Sequence, residues 1–456
     1  MRALSALPFD DDLLHLILSF CPTFADMQDM ALVSKSFLSR ISDAPKGGNP
    51  SINNAVACNL VGPALPQALR VIRYPYPVDR SARDEQGEEP LATACPEADM
   101  ACASIITLEE EKQLCSNAEI VETLEDAYSL TQKDRTSKRS VLTWEESFRF
   151  RRAMYRIMFY CKLFNGDVDD REEDVQLIRR QRIAVLSQYP TDQLLQLYAV
   201  VQFMRGILQE VCNEADIANG MVDLMLSAGP EGLSWVWEDE AYERLSELDF
   251  ERLDEDEEDR LYDGYFSRAL DSIWAAREVE APKDVADAPA SKWILDTVVG
   301  AEDTCSQCTT LGGLKLLTQA NWHRIHFSPT RFLKGELRHN TVLTEAFKDV
   351  EYMEQHEHGP WISKMFDFTS TNTNETKEGE WAGWTSDRSY CQPCLFKFME
   401  EHVWQWFREE RVKDGWVPPA EDCPYGYDCK TMGEDEAHAV EKNHLCAPTM
   451  SETQVL

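Results

Sequence analysis

Sulfur and imidazole are concentrated at one end of this 456-residue chain. Eight of its nine histidines lie at or after His323, and half of its 14 cysteines lie at or after Cys305. Cys305-x-x-Cys308 and Cys391-x-x-Cys394 are two pairs of thiols three positions apart. A pair at that spacing in a tight turn grips one side of a Zn²⁺, and a second pair completes a tetrahedron. The pairs are separated by 82 residues. Closing a loop of that length costs about 4 kcal/mol, whereas a structural zinc supplies roughly 10–16 kcal/mol. A four-cysteine site is therefore predicted in preference to a mixed one. The rival ligands are His323 and His326, on an expected short helix from Trp322, and His402 after the second pair. Unliganded core thiols and a redox dithiol are the competing readings.

The last block runs Cys423, Cys429, His438, His444, Cys446, spaced Cys-x5-Cys-x8-His-x5-His-x-Cys. It resembles the poly(ADP-ribose)-binding zinc finger, which starts Cys-x-aromatic-Gly-x-x-Cys and carries two later histidines six apart. Tyr425 and Gly426 stand at the matching positions. The resemblance implies Cys423, Cys429, His438 and His444 as ligands, with Cys446 as the alternative fourth. Gly426 would supply a left-handed turn that returns Cys429 to the metal. Lys430 is followed by Glu434, Asp435 and Glu436, which would repel a polyanion. A structural finger is thus expected rather than a reader of the polymer. Two structural zinc ions are expected in all.

These ligands need a scaffold. Trp361, Trp381, Trp384, Trp404, Trp406 and Trp416 crowd the same stretch and are expected to fill a small core around the metal. Upstream, Thr143 and Glu146 form a capping box, and Phe150, Met154, Ile157, Met158 and Cys161 make one apolar helical stripe. Arg149, Arg152 and Arg156 make a second stripe. Thirteen acids fall between Glu238 and Asp259. Both charge runs are expected to be solvated faces, with docking of one on the other as the alternative. Trp235 and Trp237 are expected as core anchors.

At the front, Asp10 or Asp11 is expected to cap a helix carrying Leu14, Ile17, Leu18 and Cys21 at i, i+3, i+4 and i+7. Pro22 ends it, and Thr23 with Asp26 marks a second start. Met27, Met30, Val33, Phe37 and Ile41 continue at helical spacing. More positions are apolar than one buried face needs, so one face is predicted to require a partner. Leu7-Pro8, Leu13 to Leu18 and Val33-Ser34-Lys35-Ser36-Phe37 resemble the F-box. The family binds the Skp-type adaptor of cullin–RING ubiquitin ligases. The resemblance implies Leu7, Pro8, Leu14, Ile17, Leu18, Val33 and Phe37 as adaptor-contact or core residues.

Lys plus Arg is 45 and Asp plus Glu is 81, a formal charge of −36. That balance argues against general nucleic-acid binding and against docking on anionic lipid. No run of about 18 consecutive apolar residues suggests a membrane span, and Asp10 to Asp12 interrupt any signal-like start. An intracellular chain, cytoplasmic or nuclear, is expected. The fold class expected is mainly α: an F-box-like helical module over 1–45, an acidic helical domain over 46–300 with a loop near 79–97, a small zinc-stabilised α+β domain over 301–447, and a polar tail over 448–456. Leu337-Arg338-His339-Asn340, Asp303 to Cys308, Cys391 to Cys394 and Cys423 to Cys429 also look similar to the C-terminal part of a group of fungal F-box-like proteins. No Gly-x-Ser-x-Gly elbow, phosphate-binding glycine loop or His-Glu-x-x-His helix occurs, and His356-Glu357-His358 is too close-spaced for the last. The expectation is a non-catalytic substrate receptor whose partners are the adaptor, the cullin complex and an unidentified protein substrate. A zinc-dependent nucleic-acid or poly(ADP-ribose) binder is the alternative.

Overall fold

A computed structural model describes residues 10–42, 50–76, 94–100, 106–164, 172–214, 221–237, 262–285, 289–322, 329–343, 346, 361–371, 381 and 383–450. The chain is mainly helical. It divides into two compact units: Met1–Tyr128 with Ser140–Thr297, and Ser129–Arg139 with Val298–Leu456. The front helices do not form a unit of their own. Leu14, Leu18, Cys21, Phe24, Met27 and Phe37 belong to the same apolar core as the helices that follow.

In the first unit, three short helices lead: α1 (Asp11–Ser19), α2 (Phe24–Val33) and α3 (Lys35–Ser42). Asp10 caps α1 by accepting from the Leu13 amide at 2.8 Å. Thr23 caps α2 by accepting from the Asp26 amide at 3.1 Å. The stripe from Met27 to Ile41 does not run through one helix. Ser34 is extended (φ −154°, ψ 160°), and its hydroxyl accepts from the Phe37 amide at the start of α3.

Then come α4 (Pro50–Val61) and α5 (Leu65–Arg73), joined through Gly62-Pro63. The whole stretch Pro50–Arg73 is long and apolar enough to cross a membrane by length and composition. More than half of its apolar window is buried in this unit, including Ile52, Val56, Val61, Ala68 and Leu69, as in a core helix. The unit continues with α6 (Leu108–Gln132, of which Ser129 onward is counted in the second unit), α7 (Trp144–Phe164), α8 (Glu172–Ser187), α9 (Thr191–Glu214), α10 (Met221–Ser227), α11 (Gly229–Trp237) and α12 (Ser267–Ala276).

Helix α7 is central, packing on α9, α5 and α11. Its capping box closes as predicted: Glu146 accepts from the Thr143 amide at 2.7 Å, and its own amide donates to the Thr143 hydroxyl at 3.3 Å. Phe150, Met154, Ile157, Met158 and Cys161 are all buried. The arginine stripe is not a solvated face. Arg156 forms a bidentate pair with Glu97 at 2.8 and 2.7 Å and also donates to Gln193. Arg152 donates to Gln196, and Arg149 pairs with Asp296 at 2.8 Å. The acidic run Glu238 to Asp259 lies outside the described residues. Glu97, read as the end of a loop, instead opens the helical turn Glu97–Met100; residues 79–93 of that expected loop lie outside the described residues. Trp237 packs on the core as expected, but Trp235 is 37% exposed and is no anchor.

Among the described residues, the second unit has few regular elements. Helix α13 (Trp361–Thr371) packs on the long α14 (Gln392–Lys413). A short helix, α15 (Glu436–Glu441), lies between β1 (Glu421–Asp422) and β2 (Lys442–Asn443), which pair in parallel. The core is a column of rings. Trp322 stacks on Phe366 at 5.0 Å, Phe366 on Phe398 at 4.7 Å, Phe398 on Trp384 at 4.6 Å, and Trp384 on Tyr390 at 4.4 Å. Of the six tryptophans expected as filling, Trp361, Trp384, Trp404 and Trp406 are buried, and Trp381 and Trp416 are half-buried against the core.

Candidate metal centres and an apolar front face

The two thiol pairs meet. The sulfurs of Cys305, Cys308, Cys391 and Cys394 all lie within 4.8 Å of one another. Local backbone geometry puts them there. Thr304 bridges Leu311, and the Cys305 amide donates to the Thr310 carbonyl at 2.9 Å, which closes the first knuckle. Thr309 takes a left-handed φ of +58° at its tip. Leu317 bridges Tyr390, and the Ser306 amide donates to the Ser389 carbonyl, so the second pair is delivered beside the first. Cys391 is the N-cap of α14 and Cys394 lies in its first turn, where the helix dipole favours negative sulfur. The amides of Gln307 and Cys391 donate to the Cys305 sulfur at 3.4 and 3.2 Å, the kind of outer support that orients a metal-bound thiolate.

Protons divide unequally among these sulfurs. The Thr310 hydroxyl and amide draw Cys308 down to about 6. Burial, and then the neighbouring sulfurs of Cys391 and Cys308, push Cys394 up. A divalent cation would remove that competition by binding all four as thiolates.

The second cluster is Cys423, Cys429, His438 and His444, whose ligand atoms also lie within 4.8 Å of one another. The β1–β2 pair places Cys423 and His444 at the ends of adjacent strands, with the Cys423 amide donating to the Asn443 carbonyl at 2.8 Å. Gly426 adopts the left-handed conformation, φ +45°, and turns the chain back to Cys429. Asp435 caps α15 through the amides of Ala437 and His438, which holds His438 with its Nε2 3.4 Å from the Cys429 sulfur and 3.7 Å from that of Cys423.

The donors fit a metal. Both ring nitrogens of His444 are buried without a hydrogen-bond partner, and each such group costs about 1–3 kcal/mol if left unsatisfied. Burial, followed by the neighbouring His438, pushes the His444 imidazole down to about 4, which keeps it in the neutral, ligating form. Cys446, the alternative fourth ligand, is not in the cluster. Its sulfur donates to the Asn443 carbonyl at 3.3 Å, and burial pushes its thiol up to about 11, so it is a structural thiol. His402 is also outside both clusters, wedged between Phe398 and Trp381. His323 and His326 lie outside the described residues, as does His356-Glu357-His358. Two clusters in the second unit could therefore hold metal ions.

The residues carried over from the F-box as contact or core positions divide between the two. Leu14, Leu18 and Phe37 are buried, Ile17 is half-buried against the core, and Val33 is half exposed. Leu7 and Pro8 lie outside the described residues. What faces outward is a set the carry-over missed. Leu13, Leu16 and Phe20 fall at i, i+3 and i+7 along α1 and its cap, with Phe20 73% exposed. Leu32, at 76%, Val33 and Leu38 follow at the α2–α3 junction. The excess of apolar positions in the sequence signals this second face, but not which face the core would take.

Searches of family descriptions, of curated proteins and of solved structures each return no match to this chain.

Proposed function

We propose that this protein is a non-catalytic receptor of the F-box type. Its front helices would dock on a Skp-type adaptor of a cullin–RING ubiquitin ligase, and its second unit, braced by two structural zinc ions, would present a protein substrate. The observation that carries the reading is the outward apolar row Leu13, Leu16 and Phe20. Apolar rows of this kind on a soluble surface mark interaction sites. The donor sets, four thiolates in one centre and two thiolates with two imidazoles in the other, favour zinc over harder cations. The first ion would tie together chain segments distant in sequence and the second would close a short local fold, each with four protein ligands and no open position for hydrolysis. The nucleic-acid or poly(ADP-ribose) alternative is disfavoured by Glu434, Asp435 and Glu436, all exposed beside the second centre.

Co-purification with the adaptor tests the docking half. The pair Leu16→Asp with Phe20→Asp is expected to abolish capture while leaving the thermal midpoint unchanged; capture that persists sinks the receptor reading. Substituting Leu14 would be a poor test, because that side chain is core. Elemental analysis tests the other half: two zinc ions per chain are expected, and none would remove the metal assignment.

A further inference from the structure

The two centres differ in a way that assigns them different fates. In the second, Cys423 and Cys429 are each 1% exposed and His444 is 2% exposed. In the first, Cys305 is buried, but Cys308 is exposed and Cys391 and Cys394 are half-buried. The first centre is also all sulfur, whereas half the donors of the second are imidazoles, which a peroxide leaves intact. Finally, the sulfurs of Cys308 and Cys391 lie 3.6 Å apart although the residues are 83 positions apart in sequence. A disulfide needs about 2 Å, and the exposed Cys308 side chain can cover that difference by rotating.

We propose that the first centre is an oxidation-sensitive metal site: a peroxide converts Cys308 and Cys391 to a disulfide and releases that ion, while the second centre keeps its own. This rests on the zinc reading above. The Cys308 thiolate attacks one peroxide oxygen, the O–O bond breaks, and the departing hydroxide takes a proton to become water. The Cys391 thiolate then attacks the Cys308 sulfur and expels the second oxygen, which also leaves as water. Two sulfurs have each given up one electron, the peroxide has accepted two, and the metal has lost two of its four ligands. The new bond spans the same insert that the metal spanned, so the oxidised chain exchanges an ionic link for a covalent one. Exposure selects Cys308 as the first sulfur oxidised; Cys391 lies 3.6 Å from it and is half-exposed, whereas Cys305 is buried.

The test uses the full zinc-loaded chain with Cys58→Ser, which removes an exposed thiol outside both centres. Hydrogen peroxide is added at neutral pH, released zinc is followed with a colorimetric chelator, and disulfides are mapped by peptide mass spectrometry. One equivalent of zinc is expected to leave about tenfold faster than the second. Its release should parallel formation of a Cys308–Cys391 peptide, and a thiol reductant with added zinc should reverse both. Release of both equivalents together, release without that cross-link, or a Cys423–Cys429 disulfide forming first would overturn the proposal. A chain that holds fewer than two zinc ions before any peroxide is added overturns the metal reading itself, and this inference with it.

Discussion

Replacing Gly426 by alanine should empty the second centre selectively. The φ of +45° costs an L-residue about 1–2 kcal/mol. Space is the larger problem. A Cβ built at Gly426 would sit 2.3 Å from the Cys446 carbonyl oxygen and 2.8 Å from both the Ala447 carbonyl carbon and the Pro448 nitrogen. All three are backbone atoms, so no side chain can swing aside. Relief requires a backbone shift of about an ångström, and overpacking of this kind costs about 1–3 kcal/mol. The shift cannot stay local, because the Gly426 amide donates to the Cys423 carbonyl and the Gly426 carbonyl accepts from the Cys429 amide. Metal–ligand distances tolerate only about 0.2 Å. The smaller sum, about 2 kcal/mol, corresponds to a loss of roughly 30-fold in affinity at this centre. The assay is zinc retention against a graded series of chelators. The variant should hold one equivalent as tightly as the parent and lose the other at a weaker chelator. Gly415→Ala is the control: it also has a left-handed φ, +92°, but its Cβ would meet nothing within 4 Å, so zinc retention should be unchanged. The reasoning is refuted if Gly426→Ala keeps both equivalents at parental affinity, or if both centres weaken alike.

Two further outcomes are expected in the first unit. Burial alone would raise the Glu97 carboxyl, but the Arg156 guanidinium, with help from Gln67 and Arg70, outweighs it and holds the group below its ordinary value. The resulting stabilisation is complete above the unfolded-state value of about 4.3 and fades as pH falls through the lower folded-state value. Glu97→Gln should therefore cost about 3–5 kcal/mol at neutral pH, since it strands a buried guanidinium, and should flatten the acid limb of a urea-midpoint profile; a parallel limb in the variant would count against the pairing. Leu18→Ala, at a fully buried position, should lower stability by about 2–5 kcal/mol with an unchanged urea slope. Phe20→Ala, at a 73% exposed position, should stay within about 0.5 kcal/mol of the parent. Equal losses at the two sites would mean the outward apolar row is not free.

Local chemistry was legible in the sequence, and long-range choice was not. The capping box at Thr143 and Glu146, the cap at Thr23, the stripe from Phe150 to Cys161 and the left-handed Gly426 each depend on residues within a few positions. The spacing of the thiol pairs was enough to group them, because few other partners satisfy four soft donors. The partners of Arg149, Arg152 and Arg156 depend instead on which helices meet. Glu97 is 59 positions from Arg156, and no periodic pattern marks it. The front helices show the same limit. Their sequence reveals two apolar faces on α1, but either one could have turned inward. The core takes Leu14 and Leu18 and leaves Leu13, Leu16 and Phe20 outside.

The length of the insert also has a consequence for what the first metal does. Closing a loop of some eighty residues costs about 4 kcal/mol, and an ion could meet that cost alone. It does not have to. Between Cys308 and Cys391 the chain contributes Trp322, Phe366, Trp384 and Tyr390 to a ring column completed by Phe398 of α14. Stacked or tilted aromatic pairs contribute about 0.5–1.5 kcal/mol each beyond their burial. The Leu317–Tyr390 bridge and the Ser306–Ser389 hydrogen bond fix the register right beside the second thiol pair. Rings and backbone thus bring the knuckles to within reach, and a bound metal would have only the last few ångströms to order. A centre whose knuckles are already held by rings and backbone could lose its ion and keep the chain path beside it, whereas the four ligands of the second centre, within 22 positions, ride on two-residue strands and a six-residue helix that share the same apolar core.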